Sequence, residues 1–177
     1  MRYKIAQEAW EFEAIHELNY RTFVEEIPQH RGEGGRLVDK FHSENTYFIA
    51  MEGDRLIGMV AQRARRPFSL DAKIPNLNEY LPADRSVCEM RLLAIDKGYR
   101  RGQVFRALME NSLRHGMALG YEVAIISATT RQLKLYAHLG FVPFGPVVGT
   151  VEASFQPMLL TREALQQHSA RSIFRGS

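Results

Sequence analysis

The spacing of apolar positions divides the chain into alternating strands and helices. Residues 2–7, RYKIAQ, alternate and predict a first strand. Residues 8–26 predict a long helix: Phe12, Ile15, Leu18 and Phe23 share one broad side and the acids the other, and Pro28 ends it. GEGG at 32–35 is a joint, followed by a short helix or turn at 36–41. TYFIAME (46–52) and RLIGMVAQRAR (55–65) read as two strands joined by a Gly53-Asp54 hairpin turn. Residues 66–86 carry Pro67, Pro75 and Pro82 and predict an irregular excursion. VCEMRLLAI (87–95) has a nearly continuous apolar end and predicts a central strand. A helix follows to about Leu119, with Gly120 as its stop, and YEVAIISA (121–128) is another buried strand. Residues 129–140 predict a short helix with threonine capping and Gly140 at its end. FVPFG is a turn or short strand, 149–161 a last strand, and the polar tail from about Arg162 a short helix that frays. No repeat or linker interrupts this order, so one domain over 1–177 is expected, of mixed α/β class.

Composition narrows the function. A net charge of +3 is too small for bulk nucleic-acid binding. The single cysteine, Cys88, permits no internal disulfide and points to a reducing, cytoplasmic setting, with core packing as its role. No apolar run approaches the roughly 20 residues of a membrane span. The six histidines are scattered singly, without metal-ligand spacing. QRARR (62–66) reads as a solvated basic strand end, with docking of an acidic carrier protein as the alternative.

The basic stretch YRRGQVFRAL (99–108) is less ordinary. On a wheel of about 100° per residue, Val104, Phe105, Leu108, Met109 and Leu113 share one half, with the small Ser112 and Gly116 between them. The first N–H groups of the helix lack intrahelical partners, and its dipole adds partial positive charge at the loop 96–102. Gly102 allows close backbone approach, and Lys97, Arg100 and Arg101 supply charge. This combination fits an anion such as a diphosphate; a solvated basic loop is the plainer alternative.

Residues 87–142 resemble the core of the GNAT superfamily of acyl-CoA-dependent N-acyltransferases. There a strand ending in an LAV-like triplet leads through a basic loop, R/Q-x-x-G-x-G/A, into a helix. RLLAIDKGYRRGQVFRAL follows that plan, with Leu93, Ala94 and Ile95 as the triplet and Arg100 opening the loop. It departs at Gln103 and Phe105, where the family has glycine and a small residue. LKLYAHLGF (133–141) is similar to the family's A-x-x-L-Y-x-x-x-G-F ending. The resemblance implies a mixed, splayed central sheet flanked by helices. It also implies an acyl-CoA donor, acetyl-CoA foremost, and a small-molecule amine acceptor. The donor would lie along Leu93, Ala94 and Ile95, with its diphosphate on Arg100, Arg101, Gly102, Gln103, Val104 and Phe105. Tyr136 stands where the family often has a tyrosine near the sulfur, and a phenol of pKa about 10 can protonate a departing thiolate; packing is its other reading. Glu89, entering a buried strand, is either a proton relay or the ion-pair partner of Arg91, since strict alternation puts both on one side.

A second resemblance touches the first half. YRTFVEE (20–26), then Asp39, the 66–86 excursion and CEMRLLAI occur in the order seen in acyl-homoserine-lactone synthases and long-chain N-acyl amino acid synthases. Their patterns R-x-x-x-F and E-x-S-R are met in part, by Arg21 with Phe23 and by Glu89 with Arg91. This resemblance implies an acyl-carrier-protein thioester as donor and partner. The altered loop also leaves room for a binding module that has lost turnover.

Overall fold

In the computed structural model, which describes residues 1–100 and 102–174 with side chains as far as 169, the chain forms eight strands and five α-helices among the described residues. They fall into two compact units.

The first unit comprises Met1–Ala64 and Met90–His115. Strands β1 (Arg2–Ile5), β2 (Asn45–Glu52) and β3 (Arg55–Arg63) form an antiparallel meander. Glu52 pairs with Arg55 across the expected two-residue turn, where Gly53 takes φ +57°. Helix α1 (Ala9–Tyr20) starts where Glu11 turns back. Its carboxylate accepts from the backbone N–H groups of Gln7 (2.8 Å) and Glu8 (3.1 Å) and from Lys4 Nζ (2.6 Å). The predicted helix 8–26 changes character near its end: Arg21–Glu26 is a π-helical turn, a form that recurs at functional sites. Ile15, Leu18, Phe23, Tyr47, Ile49, Met59 and Ala94 bury into one apolar cluster, with Phe12 and Leu92 packed against it.

Strand β4 (Val87–Ile95) ends in this unit and is followed by α3 (Gln103–Ala118). The α3 face anticipated from the wheel is the buried one: Val104, Phe105, Leu108, Met109 and Leu113 are all in the core. Gly58 on β3 makes room for it. A Cβ at Gly58 would stand 3.0 Å from Val104 Cγ1 and 3.2 Å from Leu108 Cδ1. Gly58→Val is therefore expected to destabilise the protein by about 1–3 kcal/mol. The check is the denaturant midpoint, and an unchanged midpoint would show that α3 can retreat at no cost.

The second unit holds Arg65–Glu89 and Gly116–Ser177. The first residues of β4 pair parallel with β5 (Val123–Thr129) at Val87↔Val123, Cys88↔Ala124 and Glu89↔Ile125. This follows from the α3 crossover, since parallel strands need a long connection. β5 pairs antiparallel with β8 (Ser154–Thr161), and the short β6 (Val142–Pro143) and β7 (Val148–Gly149) also sit on β8. The predicted strand 149–161 is thus two strands, separated at 150–153. The predicted helix 129–140 is a 3-10 turn (Thr130–Gln132) running into α4 (Leu133–Ala137). The tail forms α5 (Arg162–Phe174). The excursion 66–86 supplies core to this unit: Phe68, Leu70, Ile74 and Leu77 pack with Val123 and Ile125, interspersed with a 3-10 turn (Ser69–Ala72) and the short α2 (Leu77–Tyr80).

Candidate functional site

In the first unit β4 carries the triplet Leu93, Ala94 and Ile95, and just before it Leu92 takes φ +54°. That left-handed conformation is rare for a branched side chain and costs about 1–3 kcal/mol. It breaks the strict alternation expected along the strand: Arg91, Leu92 and Leu93 are all partly exposed, while Ala94 and Ile95 are buried. A strand bent at this point has backbone groups turned out of the regular ladder.

The loop after β4 is shaped as a helix mouth. Lys97–Tyr99 is a 3-10 turn, Gly102 takes φ +93°, and the Arg106 N–H bonds back to the Gly102 carbonyl at 2.9 Å. Gln103, Val104 and Phe105 therefore form the first turn, the position at which helix amides and dipole favour anions. Val104 and Phe105 also bury their side chains. Arg101 lies outside the described residues. Arg100 has a local role besides: its Nε donates to the Ile95 carbonyl (2.7 Å), and its guanidinium grips Glu26 with both terminal nitrogens, Nη2 at 2.8 Å from Oε2. This contact holds the Glu26 carboxyl below its ordinary range and raises Arg100. No sequence pattern announced the pairing of Glu26 with Arg100, because the two lie 74 residues apart.

Beside this loop lies a recess of about 370 Å³, lined from α1 and the π turn by Leu18, Arg21, Thr22 and Glu25, and from the loop by Lys97 and Gly98. Its wall carries both signs of charge. Asp96 is held by Arg55 at 2.6 Å and more loosely by Arg21 at 3.8 Å.

A polar chain runs through the same unit. Arg91 on β4 pairs with Asp39 (2.5 Å), their side chains 9% and 7% exposed. Asn45 Nδ2 donates to Asp39 Oδ2 (2.7 Å) and to the Tyr47 hydroxyl (3.1 Å), which stands 3.1 Å from His42 Nδ1. The His42 ring meets His16 edge-on, centroids 4.6 Å apart. Burial pushes the Tyr47 phenol up to about 12. Asn45 Nδ2 donates to the Tyr47 oxygen, and the direction of the Tyr47–His42 bond follows the His42 tautomer. The guanidinium groups of Arg91 and Arg63 lie 5.0 Å and 3.8 Å from the Phe41 ring centroid. Arg63 and Gln62 are themselves buried, Gln62 donating to the Ser112 carbonyl at 3.0 Å, so this part of QRARR is not the solvated strand end expected. Asp39 and Arg91 were singled out in the sequence; Asn45, Tyr47, His42 and His16 were not.

The other two predicted residues belong to the second unit. Glu89 is fully buried, and its carboxylate accepts from the Ser69 N–H (2.9 Å), the Ser69 hydroxyl and the Leu70 N–H (3.2 Å). The excursion 66–86 thus supplies donors for a charge that would otherwise be costly to bury. Tyr136 on α4 is buried with its ring edge-on to Phe141, centroids 6.0 Å apart. Burial pushes its phenol well above the ordinary range.

This arrangement of strand, basic loop and helix has known counterparts. The N-acyl amino acid synthase FeeM family matches residues 14–162. The chain belongs to that family. It is accordingly an N-acyltransferase of GNAT-like fold, and the family explains both resemblances seen in the sequence. No curated protein matches it. Among solved structures, the CoA-dependent acyl-homoserine lactone synthase BjaI, with SAM and isopentyl-CoA, is similar with TM-score 0.73 and 23% identity over 90% of this chain and 81% of that one. FeeM, an N-acyl amino acid synthase from uncultured soil microbes, gives 0.74 and 15% over 94% and 93%. The acyl-homoserine lactone synthase LasI gives 0.76 and 16% over 94% of each chain. At these identities the structures show a shared fold. Among the described residues, no helix of the FeeM-family chain is long and apolar enough to cross a membrane.

Proposed function

We propose that the protein transfers an acyl group from a phosphopantetheine thioester to the α-amine of an amino acid. The observation that carries this reading is the family match over residues 14–162, which spans every element of the candidate site. The neutral amine attacks the thioester carbonyl carbon, the C–S bond breaks, the amine loses a proton and the thiolate gains one. The products are an N-acyl amino acid and a free thiol.

The donor's phosphates sit at the mouth of α3, against the backbone of Gln103, Val104 and Phe105, with Gly102 permitting approach and Arg100, Arg101 and Lys97 supplying charge. The pantetheine arm follows the backbone of Leu93, Ala94 and Ile95. CoA and an acyl carrier protein present the same arm, so this part of the site accepts either. The buried Tyr136 phenol stays protonated through the physiological range, because burial raises it, and it gives its hydrogen to the departing sulfur. Glu89 holds the 66–86 segment on β4 and assists loss of the amine proton. The recess beside the loop, lined by Arg21, Glu25 and Lys97, carries charge of both signs at the phosphate end of the donor. Lys97 and Glu25 have no ion-pair partner among the described residues.

The direct test offers the purified protein acetyl-CoA, palmitoyl-CoA or a palmitoyl carrier protein, each with a mixture of the proteinogenic amino acids, and reads N-acyl amino acids by mass spectrometry. The three arms distinguish chain length and carrier. Absence of an N-acyl amino acid with all three donors overturns the reading. For the phosphate site, Arg100→Glu should weaken CoA binding more than about tenfold, since it reverses a charge beside a diphosphate. Glu26→Gln, which keeps Arg100 positive, should leave affinity within about threefold. Calorimetry checks both, and an unchanged affinity in Arg100→Glu removes the phosphates from this loop.

A further inference from the structure

The recess beside the basic loop is built partly from the loop itself. The π turn contributes Arg21, Glu25 and Glu26 to its wall, and the loop contributes Lys97, Gly98 and Arg100. Its volume of about 370 Å³ lies within the about 300–1,000 Å³ usual for small-molecule sites. Because Lys97, Gly98 and Arg100 line it, whatever fills the recess is continuous with the mouth of α3.

The charges on its wall do not all cancel. The cations Arg21, Arg55, Lys97 and Arg100 stand against the carboxylates Glu25, Glu26 and Asp96. Glu26 is gripped by both terminal nitrogens of Arg100. Asp96 is held through one oxygen by Arg55 at 2.6 Å, while Arg21 stands 3.8 Å from the other, beyond hydrogen-bond distance. The half-exposed Arg21 guanidinium has no other ion pair among the described residues, and Lys97 has none. Arg21 and Lys97 are therefore left over, against the single carboxylate of Glu25.

Two cations left over beside a diphosphate site match a further phosphate. A phosphomonoester carries about −1.5 to −2 charges at pH 7, whereas a phosphodiester carries a single one. The two possible carriers of the pantetheine arm differ in this respect. CoA has a phosphomonoester at the 3′ position of its ribose, beyond the diphosphate. A carrier protein holds the arm on a serine through one phosphodiester. The carboxylates at the mouth also disfavour the second carrier: an acidic protein surface would meet Glu25, Glu26 and Asp96, and like charges brought together at an interface suppress the wrong partner. The basic run 62–66 offers no compensating dock at Gln62 and Arg63, which are buried.

We propose that the donor is an acyl-CoA rather than a carrier-protein thioester, and that Arg21 is a specificity-determining residue for it: Arg21, with Lys97, receives the ribose 3′-phosphate in the recess. This assignment rests on the donor's phosphates lying at the mouth of α3. It names the carrier that the shared pantetheine arm leaves open.

The first test is the ratio of Kd for dephospho-CoA to Kd for CoA, measured by calorimetry at one ionic strength. The two ligands differ only in the 3′-phosphate, so general damage to the fold does not move the ratio. It should exceed about tenfold in the wild-type protein, because charge-assisted hydrogen bonds to phosphate are strong. Arg21→Gln should cut it at least about threefold, and Arg21→Gln combined with Lys97→Gln should bring it to within about twofold of unity. The second test compares palmitoyl-CoA with a palmitoyl carrier protein at one amino acid concentration; kcat/KM should be at least about tenfold higher for palmitoyl-CoA. A wild-type ratio near unity, a ratio that survives the double substitution in a folded protein, or a carrier-protein thioester used as well as palmitoyl-CoA overturns the proposal. Arg100→Glu keeps the two readings apart. If it weakens CoA and dephospho-CoA alike, the phosphates lie at the loop, and a failed ratio then counts against Arg21 and the recess alone. If it leaves both affinities unchanged, the donor lies elsewhere and the 3′-phosphate site falls with it.

Discussion

Tyr136→Phe is expected to lower kcat by about a hundredfold or more while leaving donor affinity within a few fold. In the proposed mechanism the hydroxyl protonates the leaving sulfur, and general acid catalysis contributes about 10²–10⁴ in rate. The ring is buried and edge-on to Phe141, so phenylalanine keeps the packing. Because burial raises the phenol, the wild-type rate should show no deprotonation of this group on the alkaline side within the protein's stable range. Single-turnover measurements isolate the acyl-transfer step from product release. Full single-turnover rate in the variant would reduce Tyr136 to a packing residue.

The second large effect is on Glu89. Its carboxylate accepts from two backbone N–H groups and a hydroxyl of the 66–86 segment in a site with no exposed surface. In Glu89→Gln one carboxylate oxygen becomes an NH2 that faces those donors. Hydrogen bonds to charged groups are worth about 1.5–3 kcal/mol. The variant should lose about 3 kcal/mol, seen as a fall of about 6–12 °C in melting temperature for a chain of this size. A melting temperature equal to wild type would show that Ser69 and Leu70 find other acceptors. Activity separates the further role: a Glu89→Gln protein with wild-type kcat from about pH 6 to about pH 9 takes no part in proton transfer.

These two residues differ in how far the sequence could describe them. Tyr136 was placed by a motif of adjacent residues, Leu135 to Phe141, and such local patterns survive translation into structure because one turn of helix carries them. Glu89 was recognised as a buried carboxylate in need of a partner, but its donors on Ser69 and Leu70 lie 20 and 19 residues away in a segment that reads as irregular. Nothing in a prolyl-rich stretch indicates which backbone N–H groups will face inward.

By itself the sequence determined the order of the elements, the buried face of α3, the two-residue turn at Gly53 and Asp54, and the run of triplet, basic loop and helix. Each depends on the period of a strand or helix, or on a glycine conformation, and these are properties of neighbouring residues. Only the tertiary structure decided that Leu92 takes a left-handed conformation in β4, that Arg100 is held by Glu26, that Arg91 meets Asp39 at the end of a chain of side chains from His16, and that Asn19 is buried without a hydrogen-bond partner among the described residues. Those are contacts between residues from 52 to 74 positions apart, or consequences of what covers a side chain. Charge and hydrogen-bonding capacity can be read from a residue's identity, but the partner that satisfies them is chosen by packing, and packing is a property of the whole fold.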